Sequence, residues 1–282
     1  MIRGKKILSY VVLVLLSLAV WLPLWSLLMS ALTSSDELER TIGPAFRENG
    51  GQAVLPVLPT WPTLQPLTEL LLDTPGFFSV FWNTCLLVFP QVLGQLLVGA
   101  PAAWALAQKE LQGRKLILGL YIVLMLLPFQ VLMAPSYFVL RRLSLLDTPW
   151  AIILPGVFST LPVFLMSRSF SGIPPELIEA AKLDGANAIQ IFVKIGLPLG
   201  RPGILAAAVL SFLEAWSAIE QPMSFLRSQE HWPFSLFLPV ISSENPAAGL
   251  AAGLITLIPA VLIFKFGQKY LELGIQAEGG LG

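Results

Sequence analysis

Glu214 and Glu220 are the only charged residues between Gly203 and Met223, a stretch that is otherwise apolar or neutral. A carboxylate near the middle of a membrane span costs roughly 2.5–3.5 kcal/mol to insert, so it faces protein or water rather than lipid. If a helix runs through this stretch, Glu214, Ser217 and Gln221 fall at i, i+3 and i+7 on one face, with Glu220 beside Ser217 on the flank. Carboxylates accept hydrogen bonds, and amides and hydroxyls both donate and accept them. Such a face suits a path for a polar, hydroxyl-bearing solute. The same carboxylates could instead carry ions or protons in a channel or ion-coupled transporter, or be protonated or paired with a neighbouring helix and serve assembly alone. An enzyme embedded in a membrane needs several polar groups at one depth, and nothing else here supplies them. His231, beside Trp232 and Pro233, is the one histidine, so no metal site is expected. Cys85 is the one cysteine, which rules out a disulfide within the chain and reads as a small buried apolar residue. No G-x-x-x-x-G-K-[ST] loop is found; the nearest spacing, Gly94 to Gly99, is followed by Ala100.

The elements that must position these groups are membrane helices. Of 282 residues, 55% are hydrophobic and 12% charged, half the charge of an ordinary soluble domain. Uncharged runs cover residues 7–35, 74–108, 116–140, 148–167 and 245–264, and about 20 apolar residues cross the hydrocarbon core as a helix. With the stretch holding the two carboxylates, these predict an all-α polytopic protein, a single transmembrane domain over 1–282. Its six spans lie at about 7–32, 78–107, 116–139, 149–167, 203–223 and 247–269. The first run follows "RGKK" but is too long for a secretory h-region, and "MSALTSS" puts Met29 two before Ala31, so it reads as a signal anchor. With the N-terminus inside, twelve Lys and Arg face the cytoplasm and five face out, the pair Arg141–Arg142 being the local exception. Both termini are therefore expected in the cytoplasm. The zero net charge hides this asymmetry and gives no reason to expect nucleic acid; the lipid bilayer is the expected surrounding. The outer segment 36–76 is Pro-rich and can hold one short helix, Thr63 to Leu72. The aromatic loop 222–247 is also expected outside. Gly249 and Gly253 form a small-xxx-small pair that reads first as packing within the chain.

One large polar segment remains, between the fourth and fifth spans: "PPELIEAAKLDGANAIQIFVKIGLPLGRP", Pro174 to Pro202. Pro174 and Pro175 suit the first turn of a helix. Glu176 and Glu179 complement its N-terminal dipole, and Ala180 and Ala181 give it a thin wall that another surface can approach. Gly185 turns the chain. A second helix follows with Ile189, Phe192, Val193 and Gly196 at helical spacing, ended by Pro198 and Pro202. The segment, about 172–202, reads as a cytoplasmic helix–turn–helix. An amphipathic helix lying on lipid would account for the apolar half, but not for the Ala-Ala wall or the glycine turn.

These residues resemble a known pattern. E-A-A, three residues, Gly, nine residues, I-x-L-P marks the loop shared by binding-protein-dependent ABC importer permeases. Glu179, Ala180, Ala181, Gly185, Ile195, Leu197 and Pro198 match it at every position. The rest of the chain is similar to the carbohydrate branch, of the type of the smaller maltose permease subunit. "LPTWPTLQPLTELL", "FWNTCLL", "AAWALAQKELQGRK", "LDTPWAIILP" and "LELGIQAEGGLG" follow in that family's order. Two departures stand out: "WSAIE", Trp216 to Glu220, replaces the family's W-N-E-F, and the tail lacks its usual lysine.

The resemblance implies an inner-membrane permease subunit of a bacterial importer for a sugar or oligosaccharide. A polyamine, phosphonate or sugar phosphate is the alternative solute within the same family. It implies a second permease subunit, in a heterodimer, two cytoplasmic ATPase subunits, and an extracytoplasmic solute-binding protein. ATP is bound and hydrolysed by the partner, so this subunit needs no cofactor and is not an enzyme. Coupling to the ATPase falls to Glu179, Ala180, Ala181, Asp184, Gly185, Ile195, Leu197 and Pro198, and the translocation path to Glu214, Ser217, Glu220 and Gln221.

Overall fold

A computed structural model describes residues 2–46, 52, 54, 57–74, 76–107 and 111–279, and every regular element among them is helical. Arg47, Lys109 and the tail residues 280–282, which enter the charge and tail arguments above, lie outside the described residues. The chain opens with α1 (Ile2–Ser30), α2 (Ser35–Thr41) and α3 (Gln65–Thr68), which runs on as a wider π-turn over Glu69–Asp73. Then come α4 (Gly76–Ala107), α5 (Arg114–Leu126), α6 (Phe129–Arg142), α7 (Trp150–Val157) and α8 (Thr160–Ser171). The polar segment contains α9 (Pro175–Leu183), α10 (Ala188–Ile191), a π-turn over Phe192–Gly196, and α11 (Leu197–Leu199). α12 (Arg201–Trp216), α13 (Glu220–Phe225), α14 (Phe234–Glu244) and α15 (Pro246–Gly279) complete it.

Ser9–Ser30, Gly76–Ala107, Trp150–Ser171 and Pro246–Glu272 are each long and apolar enough to cross a bilayer. Two further apolar runs are bent pairs, α5 with α6 by 98° and Ala188–Leu199 with α12 by 71°. Among the described residues, counting each pair as one span gives six, the number expected from the five uncharged runs and the stretch that holds the two carboxylates. Prolines inside α1, α4, α6, α7 and α15 are carried without a break.

Two expected spans differ in form. The third, predicted as one helix over 116–139, breaks at Leu127–Pro128. Proline disfavours the helical region for the residue before it, and Leu127 is extended, at ψ 124°. The fifth, predicted over 203–223, stops at Trp216, and a new helix starts at Glu220. Pro222 explains the stop. A proline ring in a helix clashes with the carbonyl four residues back, here that of Ala218. That carbonyl instead accepts the Ser235 hydroxyl at 2.6 Å.

The described chain divides into two compact units. The first comprises Met1–Ser79 and Leu236–Ile258. Leu38, Ile42 and Ala247 form its core beside Leu250. Its loop segment is tied down by side chains: Trp25 donates to the Val57 carbonyl at 2.9 Å, Ser35 donates to Glu69 at 3.0 Å, and Thr60 donates its backbone N–H and hydroxyl to Glu37. The short helix expected at Thr63–Leu72 is observed over Gln65–Asp73. A methyl on Gly249 would run into Ser242, so this glycine lets α14 and α15 approach, whereas Gly253 has only Leu27 in ordinary contact at 3.7 Å.

The second unit comprises Val80–Ser235 and Pro259–Gly282. One cluster of Ala103, Leu106, Met166, Phe170 and Ala207 holds α4, α8 and α12 together; another, of Leu87, Ile152, Phe225 and Leu226, joins α4, α7 and α13. Glycines allow the close crossings. A Cβ on Gly200 would strike Phe170, and one on Gly203 would strike Ser169.

Candidate functional site

The polar segment forms the helix–turn–helix its sequence predicts. α9 begins at Pro175 and buries none of its residues. It ends where Asp184 and Gly185 donate back to the carbonyls of Ala180 and Lys182, and Ala186 donates to that of Ala181. Gly185 sits at φ +81°, the left-handed region that glycine enters without steric cost. Asn187 then caps α10: its side chain accepts the Gln190 N–H at 2.8 Å, and the Gln190 side chain accepts the Asn187 N–H at 2.9 Å. The second helix is anchored where the first is free. Ile191 and Gly196 are buried, and Phe192 packs on Trp104 and Phe170. Of the four apolar residues expected on its face, Phe192 and Gly196 point into the protein, while Ile189 and Val193 are exposed. Glu179, Ala180, Asp184, Gly185 and Pro198 are exposed, and Ala181, Ile195 and Leu197 half-buried. Leu183, 89% exposed, and Ile189, 74% exposed, flank the turn as apolar side chains with no cover.

Glu214, Ser217 and Gln221 do not share one helical face with Glu220 on its flank, as a helix over 203–223 would require. Glu214 is exposed in the last turn of α12, whereas Ser217 lies just past its end and donates to the Leu213 carbonyl at 2.8 Å. Glu220 and Gln221 open α13. The break that separates them brings Glu220 to a partner the sequence did not suggest. Gln130, in the first turn of α6, donates its amide N–H to the Glu220 carboxylate at 2.7 Å. Its one local signal was an amide two residues after Pro128, inside an apolar run. Trp216, which closes α12, stacks on Phe212 at 5.3 Å and meets Phe81 edge-on.

A second cluster was also missed. Asp147, in the α6–α7 loop at φ +59°, accepts the backbone N–H groups of Arg227 and Ser228, both at 2.8 Å, and the Ser228 hydroxyl at 2.5 Å. These bonds, helped by His231 at 3.9 Å, hold its carboxyl down at about 2. Next to it, Asn83 donates to the Glu230 and Trp232 carbonyls, and the Thr84 hydroxyl accepts the Phe234 N–H at 2.9 Å. The Asn-Thr pair of "FWNTCLL" thus holds the 230–234 segment against α4.

Residues 95–276 match the family of binding-protein-dependent transport system inner membrane components. The chain belongs to this family. The match includes the whole helix–turn–helix and both broken spans. Among curated relatives, an arabinooligosaccharide transport permease of Halalkalibacterium halodurans is 29% identical over 92% of this chain and 91% of its own. A permease of the same description in Bacillus subtilis is 29% identical over 95% and 93%. The chain also shares its fold with a subunit of a bacterial ABC transporter that imports the acidic polysaccharide alginate, at a TM-score of 0.78 and 22% identity, over 95% of this chain and 96% of that one.

A family member of this kind is an inner-membrane protein that crosses the bilayer several times. It is the membrane component of its transporter, not the catalytic one, and carries no cofactor of its own. It works with a binding protein and the other transporter components. In this permease α9 and its turn stand exposed, with Leu183 and Ile189 uncovered, and the start of α13 brings Glu220 to Gln130 inside an apolar run.

Proposed function

We propose that the chain is the permease subunit of a carbohydrate importer, that all of it works as one transmembrane domain, and that it carries a sugar or oligosaccharide. The observation that supports the solute class is the near full-length likeness to permeases named for arabinooligosaccharides. In this reading the segment 172–202 docks on a cytoplasmic ATPase. Glu179, Ala180, Ala181, Asp184 and Gly185 present the surface that meets it, and Ile195, Leu197 and Pro198 seat the second helix at the membrane. Exposed apolar groups at Leu183 and Ile189 support this, since a free α9 with uncovered apolar side chains gains by docking in a groove. Two ATPase subunits drive alternating access, the partner permease is a different chain, and substrate arrives from an extracytoplasmic binding protein. Both termini face the cytoplasm, in keeping with the cation bias. Glu214, Ser217, Glu220 and Gln221 lie along the path, now as two groups on either side of a helix break.

The test is to purify the assembled transporter from its native membrane and measure ATP hydrolysis with its binding protein and a panel of solutes. Stimulation by a neutral oligosaccharide is the expected result. Stimulation by a polyamine, phosphonate or sugar phosphate alone overturns the carbohydrate reading and leaves the importer reading standing.

A further inference from the structure

α4 runs unbroken through both apolar clusters of the second unit, entering one at Leu87 and the other at Ala100. The span beside it does not. α7 contributes Ile152 and Ile153 to the first cluster, α8 contributes Val163, Met166 and Phe170 to the second, and Trp150–Ser171 is interrupted between them. Phe158 and Ser159 leave the helical region there, at ψ 22° and 140°. Pro162 supplies the cause. In a continuous helix its ring would meet the Phe158 carbonyl four residues back, whereas a proline in the first turn of a new helix is tolerated. On α4, against this break, stand Gln91 and Gln95, only 8% and 3% exposed. Gln95 donates its amide N–H to the Gly156 carbonyl at 2.8 Å, and the same carbonyl accepts the Ser159 N–H at 3.1 Å. A carbonyl only accepts, so this bond fixes which way the Gln95 amide points. Its oxygen is then buried with no hydrogen-bond partner among the described residues. A Cβ on Gly156 would strike Gln91 and one on Gly94 would strike Val157, so the two glycines let α4 close on the end of α7.

We propose that Phe158–Ser159 is a joint within the span and that Gln95 is the positioning residue that holds it, so that α8 and the segment 172–202 turn against α7 about one fixed point during transport; the proposal rests on the docking reading above. α8 leads directly into that segment, and Phe170 packs edge-on against both Trp104, at 5.4 Å, and Phe192, at 6.4 Å. A push on the segment is therefore carried to α8. Where the helical ladder is missing the span bends more readily than along α7 or α8, which are each held by their own cluster. Apolar contacts alone have no direction, whereas a hydrogen bond in an apolar interior is strong and directional, so the Gln95 bond sets where the pivot lies. The unpartnered oxygen keeps the joint from being locked. A buried acceptor without a donor is costly, and Ser159, whose side chain makes no capping bond here, stands next to the carbonyl that Gln95 holds. A turn of α8 that brings the Ser159 hydroxyl to this oxygen gives the joint a second stable arrangement.

The experiment uses the assembled importer in proteoliposomes with its ATPase subunits and binding protein, in a Cys85→Ser background. Nitroxide labels on Trp150→Cys and Arg168→Cys, exposed residues on either side of the break, report the distance across it by electron–electron resonance, without nucleotide and with a non-hydrolysed ATP analogue. Labels on Trp82→Cys and Leu97→Cys, both exposed on the unbroken α4, are the control pair. The distance across the break is expected to shift between the two states by more than that of the control pair; an equal or absent shift overturns the joint. Gln95→Met keeps the side-chain length and removes the donor. It is expected to broaden the distances across the break and to lower uptake per ATP hydrolysed by about three- to tenfold, the loss of one net hydrogen bond. A lower thermal midpoint with unchanged distances and unchanged uptake per ATP makes Gln95 structural only and overturns its positioning role. If the ATPase does not stay bound to the unaltered permease, the docking reading and the joint fall together, whereas ATP-driven uptake with a constant distance removes the joint alone.

Discussion

Asp147 and Ser228 clamp two loops together: the serine hydroxyl donates to one carboxylate oxygen at 2.5 Å and its backbone N–H to the other at 2.8 Å. Asp147 in turn donates its own N–H to the Phe225 carbonyl at 2.9 Å. The carboxyl lies at about 2 when folded, against 3.8 ordinarily, because those bonds favour its charged form. A depressed acid contributes stability that is complete above the unfolded value and is lost as pH falls through the folded one. Asp147→Asn is therefore expected to lower the thermal midpoint of the purified protein by a constant amount from pH 7 down to about 5. The difference then shrinks as pH falls from 3.8 towards 2. Thermal scans of both proteins across that range check it, and a pH-independent difference would show that the charge is not what the clamp uses.

Gly185 has open space around a hypothetical Cβ, so the only obstacle to substitution is its φ of +81°. Asn tolerates this region and β-branched residues do not. Gly185→Asn is expected to keep most uptake, whereas Gly185→Val costs about 1–2 kcal/mol at the turn and uncouples uptake with membrane insertion intact. Ala181→Trp is expected to do the same by thickening α9. Co-purification of the ATPase is the readout, with expression measured alongside; normal ATPase retention in the Val and Trp variants would remove the docking assignment.

Ser235 matters because Pro222 frees the Ala218 carbonyl and the serine hydroxyl takes it. Ser235→Ala leaves that carbonyl without this donor and is expected to destabilise the protein by about 1–3 kcal/mol. Pro222→Ala removes the clash and is expected to let α12 continue towards Glu220. Hydrogen exchange of residues 217–221 reads this directly: greater protection in Pro222→Ala supports the proline as the cause of the break, and no change rejects it.

Gly200 and Gly203 stand against Phe170 and Ser169. Gly200→Ala forces the phenylalanine ring or α11 to move, and overpacking of this kind costs typically about 1–3 kcal/mol. Lower thermal midpoints for Gly200→Ala and Gly203→Ala are expected. Gly119→Ala, with nothing within 4 Å of its Cβ, is the control and is expected to be neutral.

Topology is checked with single cysteines in a Cys85→Ser background. Gln229→Cys is expected to react with an impermeant reagent from outside and Leu183→Cys only from the cytoplasmic side; the reverse pattern would invert the proposed orientation.

The spans and the helix–turn–helix were legible in the sequence because their causes are local. Hydrocarbon thickness selects uncharged runs of about 20 residues, and Pro175, Gly185 and Asn187 start, turn and cap helices through bonds to residues only a few positions away. The breaks at Pro128 and Pro222 had local signals too, but an uninterrupted apolar pattern overshadowed them, and a helix drawn through 203–223 set Glu214, Ser217 and Gln221 on a face that does not exist. The pairings were not legible at all. Gln130 meets Glu220 across 90 positions and Asp147 meets Ser228 across 81. Only the packing of α6, α7 and α13 around Phe225 brings those side chains within bonding distance, because a hydrogen bond is decided by a few tenths of an ångström in space and periodicity along the chain carries no record of that.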